Sequence, residues 1–302
     1  MRCPACGGET RAWLTAAAGE PSDTQLYELA RCRECGTAVT LGGPPSRHAY
    51  EIGIYSGVQV RLGPLVRALQ RHALRLPLKL LRRAGLARGG SVLDAGAGRG
   101  RLVAALRAEG YRAEGIDPSP RGPGVAAKAI DEHTASGLDA VVLWHVLEHV
   151  EDPAATARRV HAWLGPGGLA LFAVPNLASL QARIAGPDWF HLDLPRHRTQ
   201  FTVAGLRELL TRSGFEVVAE WHFVTEYNPL GMWLAFLTRL GMTPGLPFHL
   251  FKRSTSPTAR DALVLFVAGP VLLVPAVLLE LVAGAVRRGG SVALVARRQA
   301  EA

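Results

Sequence analysis

The chain has 302 residues, enough to bury the core of one α/β domain and to carry smaller additions. Hydrophobic residues make up 48% of it and charged residues 20%, and this composition excludes an intrinsically disordered chain. The formal net charge is +9. Residues 1–12 are polar and lack an apolar run, so no secretory signal is predicted there and a cytoplasmic location is expected.

All four cysteines lie in residues 1–40, as two C-x-x-C pairs, Cys3 with Cys6 and Cys32 with Cys35. Each pair forms a tight turn whose thiolates point to one centre, and two such pairs complete a tetrahedral zinc site. A disulfide and a redox dithiol are the alternatives. The spacing predicts a zinc-ribbon module over residues 1–44. Its zinc is expected to be structural, because four protein ligands leave no open position.

Residues 45–88 form a basic segment that is predicted to be a mostly helical linker or cap, with breaks near Pro64 and Pro77. No acidic residue lies between Glu51 and Asp94. Eight basic residues lie there: Arg61, Arg67, Arg71, Arg75, Lys79, Arg82, Arg83 and Arg88. Such a block attracts lipid headgroups, nucleic acid or a phosphorylated substrate, and a solvated helix face is the alternative.

Short apolar runs alternate with helical stretches from residue 90 to residue 225, which is typical of a parallel sheet. The predicted strands are 91–94, 112–117, 126–130, 139–145, 168–174 and 215–222, and 291–296 closes the sheet as the seventh. The predicted helices are 101–109, 154–164 and 203–213. We therefore predict an α/β fold with a doubly wound, seven-stranded, mostly parallel Rossmann-like sheet over residues 89–302. An apolar helical insertion at about 228–287 precedes the last strand.

The first of these strands runs into the glycine-rich sequence Asp94-Ala95-Gly96-Ala97-Gly98-Arg99-Gly100. Closely spaced glycines let the backbone turn tightly and approach a ligand. A dinucleotide fingerprint would require glycine where Arg101 stands. Asp117, at the end of the next strand, is placed to accept ribose hydroxyls. A glycine-rich turn in an unrelated α/β protein is the alternative.

These motifs, together with the sequence Trp-His-Val-Leu-Glu-His at 144–149, resemble the class I S-adenosylmethionine (SAM)-dependent methyltransferases. The segments 174–176 and 188–197 are similar to bacterial type 23 and ubiquinone-biosynthesis methyltransferases. The resemblance covers residues 88–225 and implies that SAM is the cofactor. The residues expected to bind it are Asp94, Gly96, Ala97, Gly98, Gly100, Asp117, Pro118, Asp131 and His145, with Glu132 as the alternative to Asp131.

Candidate catalytic residues follow the fourth and fifth predicted strands, at the edge where this fold binds ligands. His191 and His197 are the candidate bases, because a histidine near its ordinary pKa accepts a proton at neutral pH. His149 and Asp193 are the further catalytic candidates. A structural hydrogen-bonding role is the alternative for each histidine. Arg196 is expected to bind an anionic acceptor.

Residues 262–286 form an apolar run in which Glu280 is the only charged residue. The run is long enough to span a bilayer, but basic residues on both sides place both ends in the cytoplasm. The pattern favours a re-entrant or interfacial helical hairpin, bent at Pro270 or Pro275. A buried insertion and an interface between copies of the chain are the alternatives.

The sequence therefore predicts a methyltransferase that acts on an O, N or C nucleophile of a small or lipid-linked acceptor. It would be peripheral or monotopic on an anionic membrane, at the inner face. An RNA or protein methyltransferase is the alternative, although the Asn-Pro-Pro-aromatic motif of nucleic-acid amino methyltransferases is absent and nucleic acid is less favoured. A binding module without activity is the third possibility, and the intact Asp94 loop and Asp117 argue against it.

Overall fold

The structure is a computed structural model that describes residues 1–46, 49, 74–225, 227–252 and 255–299. Several features of the basic segment, including Arg61, Arg67, Arg71 and the break at Pro64, lie outside the described residues. Pro77 is buried within the first turn of a helix that begins at Arg75, where proline is tolerated, and the chain before residue 74 lies outside the described residues, so the break expected near Pro77 stays a prediction.

The strands of the described residues are β1 (Thr10–Ala17), β2 (Leu26–Cys32), β3 (Ala38–Thr40), β4 (Ser91–Ala95), β5 (Arg112–Asp117), β6 (Val125–Ala127), β7 (Leu138–Trp144), β8 (Leu164–Pro175), β9 (Thr199–Gln200), β10 (Phe215–Trp221) and β11 (Ser291–Arg298). The α-helices are α1 (Arg75–Arg83), α2 (Arg101–Ala108), α3 (Pro153–Trp163), α4 (Leu180–Ala185), α5 (Val203–Arg212), α6 (Asn228–Arg239), α7 (Leu246–Lys252), α8 (Ala259–Leu263) and α9 (Gly269–Ala285). Gly186–Asp188 and Phe190–Leu192 are 3₁₀ turns, and Val264–Ala268 is a π-helical turn.

The large sheet has the strand order β10-β11-β8-β7-β4-β5-β6, which confirms the predicted seven-stranded fold. Strands β4 to β8 pair in parallel, and β11 is antiparallel to both of its neighbours. The last strand therefore lies between β8 and β10 and not at an edge. Its run from Val292 to Ala296 is buried, as an interior position requires.

Helices cover both faces of this sheet. Alternate residues of β7 point to opposite sides, so Ala140 and Val142 pack with α1 and α2, while Val141 and Leu143 pack with α3 and α5. Asp152 caps α3 by accepting a hydrogen bond from the Ala155 amide at 2.8 Å. This layering is the doubly wound arrangement that the alternating pattern predicted.

A second sheet joins the N-terminal segment to the larger fold. Its order is β1-β2-β3-β9, and β9 belongs to the loop between β8 and α5. Ala38 pairs with Gln200, and Val39 with Thr199. The cysteines Cys3, Cys6 and Cys32 belong to the same buried cluster as the inward side chains of α5.

The apolar insertion comprises α6 to α9, between β10 and β11. Helix α8, the π turn and α9 form one continuous helix, Ala259–Ala285, that by length and composition alone could cross a membrane. The predicted hairpin within residues 262–286 is therefore wrong. Pro270 lies just after the π-helical turn, and neither Pro270 nor Pro275 ends the helix.

One face of α9 packs against α6, and Trp233 of α6 donates a hydrogen bond to the Gly269 carbonyl at 2.8 Å. Glu280 is fully buried on that inner side. It accepts hydrogen bonds from the Gly290 amide at 2.8 Å and from Gln181 at 3.1 Å. Burial raises the pKa of Glu280 to about 7. The outer side of the continuous helix Ala259–Ala285 exposes apolar side chains: Leu263, Phe266, Val267, Val271, Leu273, Val274, Leu278, Leu281, Val282 and, just beyond the helix, Val286.

Candidate functional site

The loop between β4 and α2 is shaped by glycines at positions that other residues rarely adopt. Gly96 has a φ of +85°, and a Cβ atom there would lie 2.3 Å from Val146 Cγ2. The amides of Gly96 and Ala97 both donate to the Ile116 carbonyl, at 2.8 and 2.9 Å. Gly100 has a φ of +67° and begins α2. The loop is therefore held against β5 and leaves room for a ligand's approach.

Two carboxylates flank this loop. Asp117 Oδ2 accepts a hydrogen bond from the Gly98 amide at 2.9 Å, and its Oδ1 accepts one from the Ser119 amide at 2.8 Å. Asp94 is buried, and burial together with the charge of Asp117 raises its pKa to about 7. Asp94, Gly96, Ala97 and Trp144 line a cleft of about 140 Å³. An ammonium group would stabilise the ionised Asp94, so the charges fit the amino-acid end of SAM.

The remaining residues expected to bind the cofactor follow the parallel strands β5, β6 and β7. Pro118 follows Asp117 and is exposed, as are Asp131 and Glu132 beyond β6. Glu132 accepts a hydrogen bond from the Ala129 amide at 3.0 Å. His145 follows β7 in a left-handed conformation with a φ of +56°. Its Nδ1 lies 3.1 Å from Glu148 Oε1.

Behind the loop, the segments that follow β7 and β8 meet in a buried cluster of histidines and carboxylates. We call it the histidine cluster, and it consists of His145, Glu148, His149, His191, Asp193 and His197. The rings of His149 and His197 are 4.6 Å apart, and His197 Nε2 lies 3.7 Å from Asp193 Oδ2. All four predicted catalytic residues belong to this cluster, since both segments leave the sheet at the same edge.

Backbone carbonyls set the tautomers of two of these histidines. His149 Nδ1 lies 3.1 Å from the Arg196 carbonyl, and His197 Nδ1 lies 2.8 Å from the His191 carbonyl. A carbonyl only accepts, so both Nδ1 atoms carry the proton and both Nε2 atoms are acceptors. A ligand atom from each of Glu148, His149 and His197 lies within 4.8 Å of the other two, a spacing that could hold a cation.

Three histidines of the cluster, His149, His191 and His197, are neutral at pH 7 because burial opposes their charged forms. Burial lowers the pKa of His191 to about 3 and that of His149 to about 4, and it lowers the pKa of His197. Burial also raises the pKa of Glu148. Glu148 Oε2 and His191 Nε2 are buried and have no hydrogen-bond partner in the described residues. Unsatisfied polar atoms of this kind indicate a place for a polar ligand group.

Asp193 and Arg196 form a buried ion pair beside these histidines. Arg196 Nε donates to both carboxylate oxygens of Asp193, at 3.0 and 3.1 Å. Although burial opposes ionisation, the charge of Arg196 and its hydrogen bonds keep the pKa of Asp193 at about 2. Arg196 is 1% exposed, so the expectation that it binds an anionic acceptor is wrong. Its charge is used within the protein.

The N-terminal segment holds this part of the chain in place. Thr40 Oγ1 donates to the His197 carbonyl at 2.7 Å, and the Thr40 amide donates to the Arg198 carbonyl at 3.0 Å. The Gly19 amide donates to the Leu194 carbonyl at 2.8 Å. The peptide bond between Leu194 and Pro195 is cis. The loop that carries His197 therefore depends on the cysteine-containing segment for its position.

The four cysteines have the geometry that a zinc ion requires. Their sulfur atoms all lie within 4.8 Å of one another, with Cys3 and Cys35 separated by 3.7 Å and Cys6 and Cys32 by 3.4 Å. A tetrahedral site with Zn–S bonds of about 2.3 Å has sulfur atoms about 3.8 Å apart. The Gly8 amide donates to Cys6 Sγ at 3.4 Å. The donor set thus fits structural zinc.

Sequence analysis missed two aromatic residues that border the histidine cluster. The Tyr227 ring is centred 4.2 Å from that of His145 and 6.3 Å from that of His191. The Trp189 ring is centred 5.4 Å from that of His191. Tyr227 lies between the end of β10 and the start of α6, and its position at the sheet's ligand-binding edge is the signal that could have identified it.

Comparison with known proteins identifies relatives of this chain. Residues 67–220 match the type 23 family, described as a methyltransferase domain. A ubiquinone biosynthesis O-methyltransferase of Methylobacterium sp. (strain 4-46) is 34% identical over 198 residues, which cover 58% of this chain and 78% of that protein. One of the same name from Aromatoleum aromaticum is 37% identical over 112 residues, which cover 32% of this chain and 47% of that protein.

Among solved structures, the fold is similar to that of a Galdieria sulphuraria protein assigned as a sarcosine dimethylglycine methyltransferase. The TM-score is 0.50 and the sequence identity is 15%. The similarity covers 83% of this chain and 96% of the other. At this identity, the likeness concerns the fold alone.

Proposed function

The chain belongs to the type 23 family of methyltransferase domains, and from that premise we propose that this SAM-dependent enzyme methylates a small or lipid-linked acceptor at an anionic membrane surface. One observation carries the proposal. Tyr227 borders the histidine cluster and immediately precedes α6, and α6 packs along the exposed apolar helix α9. The candidate acceptor site and the apolar surface therefore belong to adjoining parts of the molecule.

The donor site in this proposal is the loop between β4 and α2. Asp94 holds the ammonium end of SAM, and Asp117 accepts the ribose hydroxyls. The backbone of Gly96, Ala97, Gly98 and Gly100 lies against the ligand. Pro118, Asp131 and His145 complete the contacts around it. When bound, SAM supplies a methyl group on a positively charged sulfur that needs no further activation, so the protein mainly aligns the acceptor and excludes water.

The histidine cluster takes the acceptor's proton. Relatives named for O-methylation in ubiquinone biosynthesis support an oxygen nucleophile. His197 is the preferred base, because its Nε2 is an acceptor and the charge of Asp193, 3.7 Å away, stabilises the protonated ring. His191, whose Nε2 has no hydrogen-bond partner in the described part of the chain, is the second candidate. His149 and Glu148 complete the polar wall.

The outer side of α9 lies on the membrane in this proposal, which places the enzyme at the cytoplasmic face. Phe266, Val271 and Val274 are 74%, 70% and 63% exposed. Burial of such side chains in the headgroup region favours binding, and Arg287 and Arg288 beyond the helix favour anionic lipids. The four cysteines hold a structural zinc ion that keeps the N-terminal sheet, and with it the His197 loop, in place.

The acceptor is identified by incubating the enzyme with labelled SAM and separate lipid, RNA, protein and aqueous fractions of a cell extract. We expect the label in the lipid fraction or in a small molecule. Label in RNA or protein would overturn the acceptor class and support the polymer-methylating alternative. A His197→Asn variant, assayed in parallel, shows whether the labelling depends on the histidine cluster.

Membrane binding is tested by co-sedimentation with phosphatidylglycerol vesicles. Replacing Phe266, Val271 and Val274 by serine removes apolar surface and is expected to weaken binding about tenfold or more. The control is Leu26→Ser, because Leu26 of β2 is 69% exposed in a different part of the fold. Equal binding by the triple variant and the control would exclude α9 as the membrane-binding surface.

A further inference from the structure

A second, larger cleft lies between the N-terminal sheet, α4 and the residues that follow α9. Its volume is about 660 Å³, against about 140 Å³ for the cleft beside Asp94. It shares no lining residue with the cleft beside Asp94. The lining residues that matter here are Trp13, Arg31, Arg183, Trp189, Arg287 and Arg288.

The walls of this cleft carry four arginines, and no acidic residue of the described chain lines it. Arg31 lies over the Trp13 ring, 5.2 Å from its centre, and donates a hydrogen bond to the Gly36 carbonyl at 3.0 Å. Arg183, Arg287 and Arg288 are exposed, and their side chains form no hydrogen bond or ion pair with the described residues. The positive charge of the cleft is therefore not balanced by these residues.

Two of the arginines, Arg287 and Arg288, lie in the turn that ends α9. The Arg287 amide donates to the Gly284 carbonyl at 3.1 Å, and the Arg288 amide donates to the Ala283 carbonyl at 2.6 Å. This pair of bonds closes the helix and requires a left-handed residue at position 287, where glycine is usual. Arg287 has a φ of +60°. The closing turn thus places Arg287 and Arg288 in the wall of the cleft.

The apolar face of α9 leads to this basic cleft. Val282 and Val286 are 59% and 61% exposed, and Arg287 and Arg288 follow directly. Guanidinium groups recognise phosphate oxygens through paired hydrogen bonds. An exposed apolar helix that ends at clustered arginines suits a ligand with a phosphorylated head and a hydrocarbon chain.

We propose that the arginine cleft binds the phosphate or diphosphate ester of an amphiphile whose chain lies along α9. The ligand is either a phospholipid of the membrane or a free lipid phosphate. Trp189 lines the cleft and also contacts His191, with ring centres 5.4 Å apart, so an occupied cleft lies one side chain from the histidine cluster. The proposal concerns a site separate from the donor loop and does not depend on the acceptor being a lipid.

The test compares the Arg287→Gln/Arg288→Gln double variant with Arg158→Gln/Arg159→Gln, an adjacent pair on α3 that does not line the cleft. Calorimetry with farnesyl diphosphate measures binding of a free lipid phosphate. Co-sedimentation with phosphatidylglycerol vesicles, against phosphatidylcholine vesicles, measures binding of a phospholipid surface. A SAM titration of each variant shows that it is folded and reports on the donor site independently.

We expect the affinity of the double variant to fall at least about tenfold in one arm of the test, either calorimetry or vesicle co-sedimentation. In the same arm, the affinity of the control pair should fall less than about threefold. Loss in the calorimetric arm identifies a free lipid phosphate, and loss in the vesicle arm identifies a phospholipid headgroup. Trp13→Leu, which leaves every arginine in place, is expected to weaken the same arm. If the double variant matches the control pair in both arms, the proposal is overturned, whatever the outcome of the SAM titration.

Discussion

The carboxylate of Asp117 accepts a hydrogen bond from the amide of Gly98 at 2.9 Å, and this contact joins the loop after β4 to the end of β5. One side chain thus shapes the glycine loop and remains half-buried at its tip. The proposed donor site depends on both properties.

Replacing Asp117 by asparagine separates them. Asparagine retains an acceptor for the Gly98 amide but removes the charge that accepts ribose hydroxyls. A charged hydrogen bond contributes about 1.5–3 kcal/mol, so the dissociation constant for SAM should rise about 10- to 100-fold by calorimetry. The exposed Glu151→Gln variant is the control. Unchanged affinity in Asp117→Asn would remove Asp117 from the donor site.

SAM affinity should depend on pH through Asp94. Its pKa is about 7 without ligand, so a proton must leave before the carboxylate can pair with an ammonium group. Affinity should fall as the pH decreases from 7.5 to 5.5, by at most about tenfold per pH unit for one proton. The Asp94→Asn variant should bind weakly with no such dependence. A pH-independent affinity in the native enzyme would contradict this role.

The same raised pKa predicts how the unliganded protein responds to pH. The folded state binds the Asp94 proton more tightly than the unfolded state does. The contribution of this proton to the free energy of unfolding is therefore complete below the ordinary aspartate pKa of about 3.9. That contribution is lost as the pH rises through about 7. Urea unfolding at pH 5.5 and 8 should show a larger decrease in stability for the native enzyme than for Asp94→Asn.

His197→Asn should lower the turnover number about 100-fold or more, because a positioned base contributes about 10²- to 10⁴-fold. The affinity for SAM should not change. Since burial lowers the pKa of His197, the turnover number of the native enzyme should fall on acidification only below the ordinary histidine pKa of about 6.5. His133→Asn, outside the cluster, is the control. Near-native turnover in His197→Asn would assign the base to another group.

Zinc removal should affect the histidine cluster as well as the cysteines. We expect one zinc ion per chain by atomic absorption, and Cys32→Ser should lower the melting temperature by about 10 °C or more. Because Thr40 donates to the His197 carbonyl, residues 193–200 should exchange their amide hydrogens faster in the variant. As the control, zinc added to a chelator-treated sample of the native enzyme should restore slow amide exchange at these residues. Unchanged exchange at 193–200 would show that the two regions are independent.

The strands of the sheet and the proximity of the histidines after β7 and β8 were predictable, because both follow from local sequence patterns. Apolar alternation identified the strands, and the rule that parallel strands end at one edge brought His149 near His197. The ion pair between Asp193 and Arg196 was not predictable, because it depends on an irregular loop conformation. Nor was the pairing of β3 with β9, since two residues such as Thr199 and Gln200 carry no periodic signal.

The continuous helix Ala259–Ala285 shows a different limit of pattern-based prediction. Two prolines suggested a bend, but Pro270 lies just after the π-helical turn Val264–Ala268, and the helix continues through both Pro270 and Pro275. The burial of Glu280 was not predictable either, because its partner Gln181 is distant in sequence and its partner Gly290 lies beyond the helix. These hydrogen bonds allow the carboxylate of Glu280 to face inward from an otherwise apolar helix.

The placement of β11 between β8 and β10 has a consequence for how the chain is made. On the ribosome, β10 is synthesised before the strand that separates it from β8, and the whole apolar insertion emerges in between. The sheet therefore acquires its last strand, β11, only after the insertion has been synthesised. The nascent enzyme exposes its most apolar helix while its catalytic half is still incomplete, so its encounter with a lipid surface or a chaperone can precede the completion of folding.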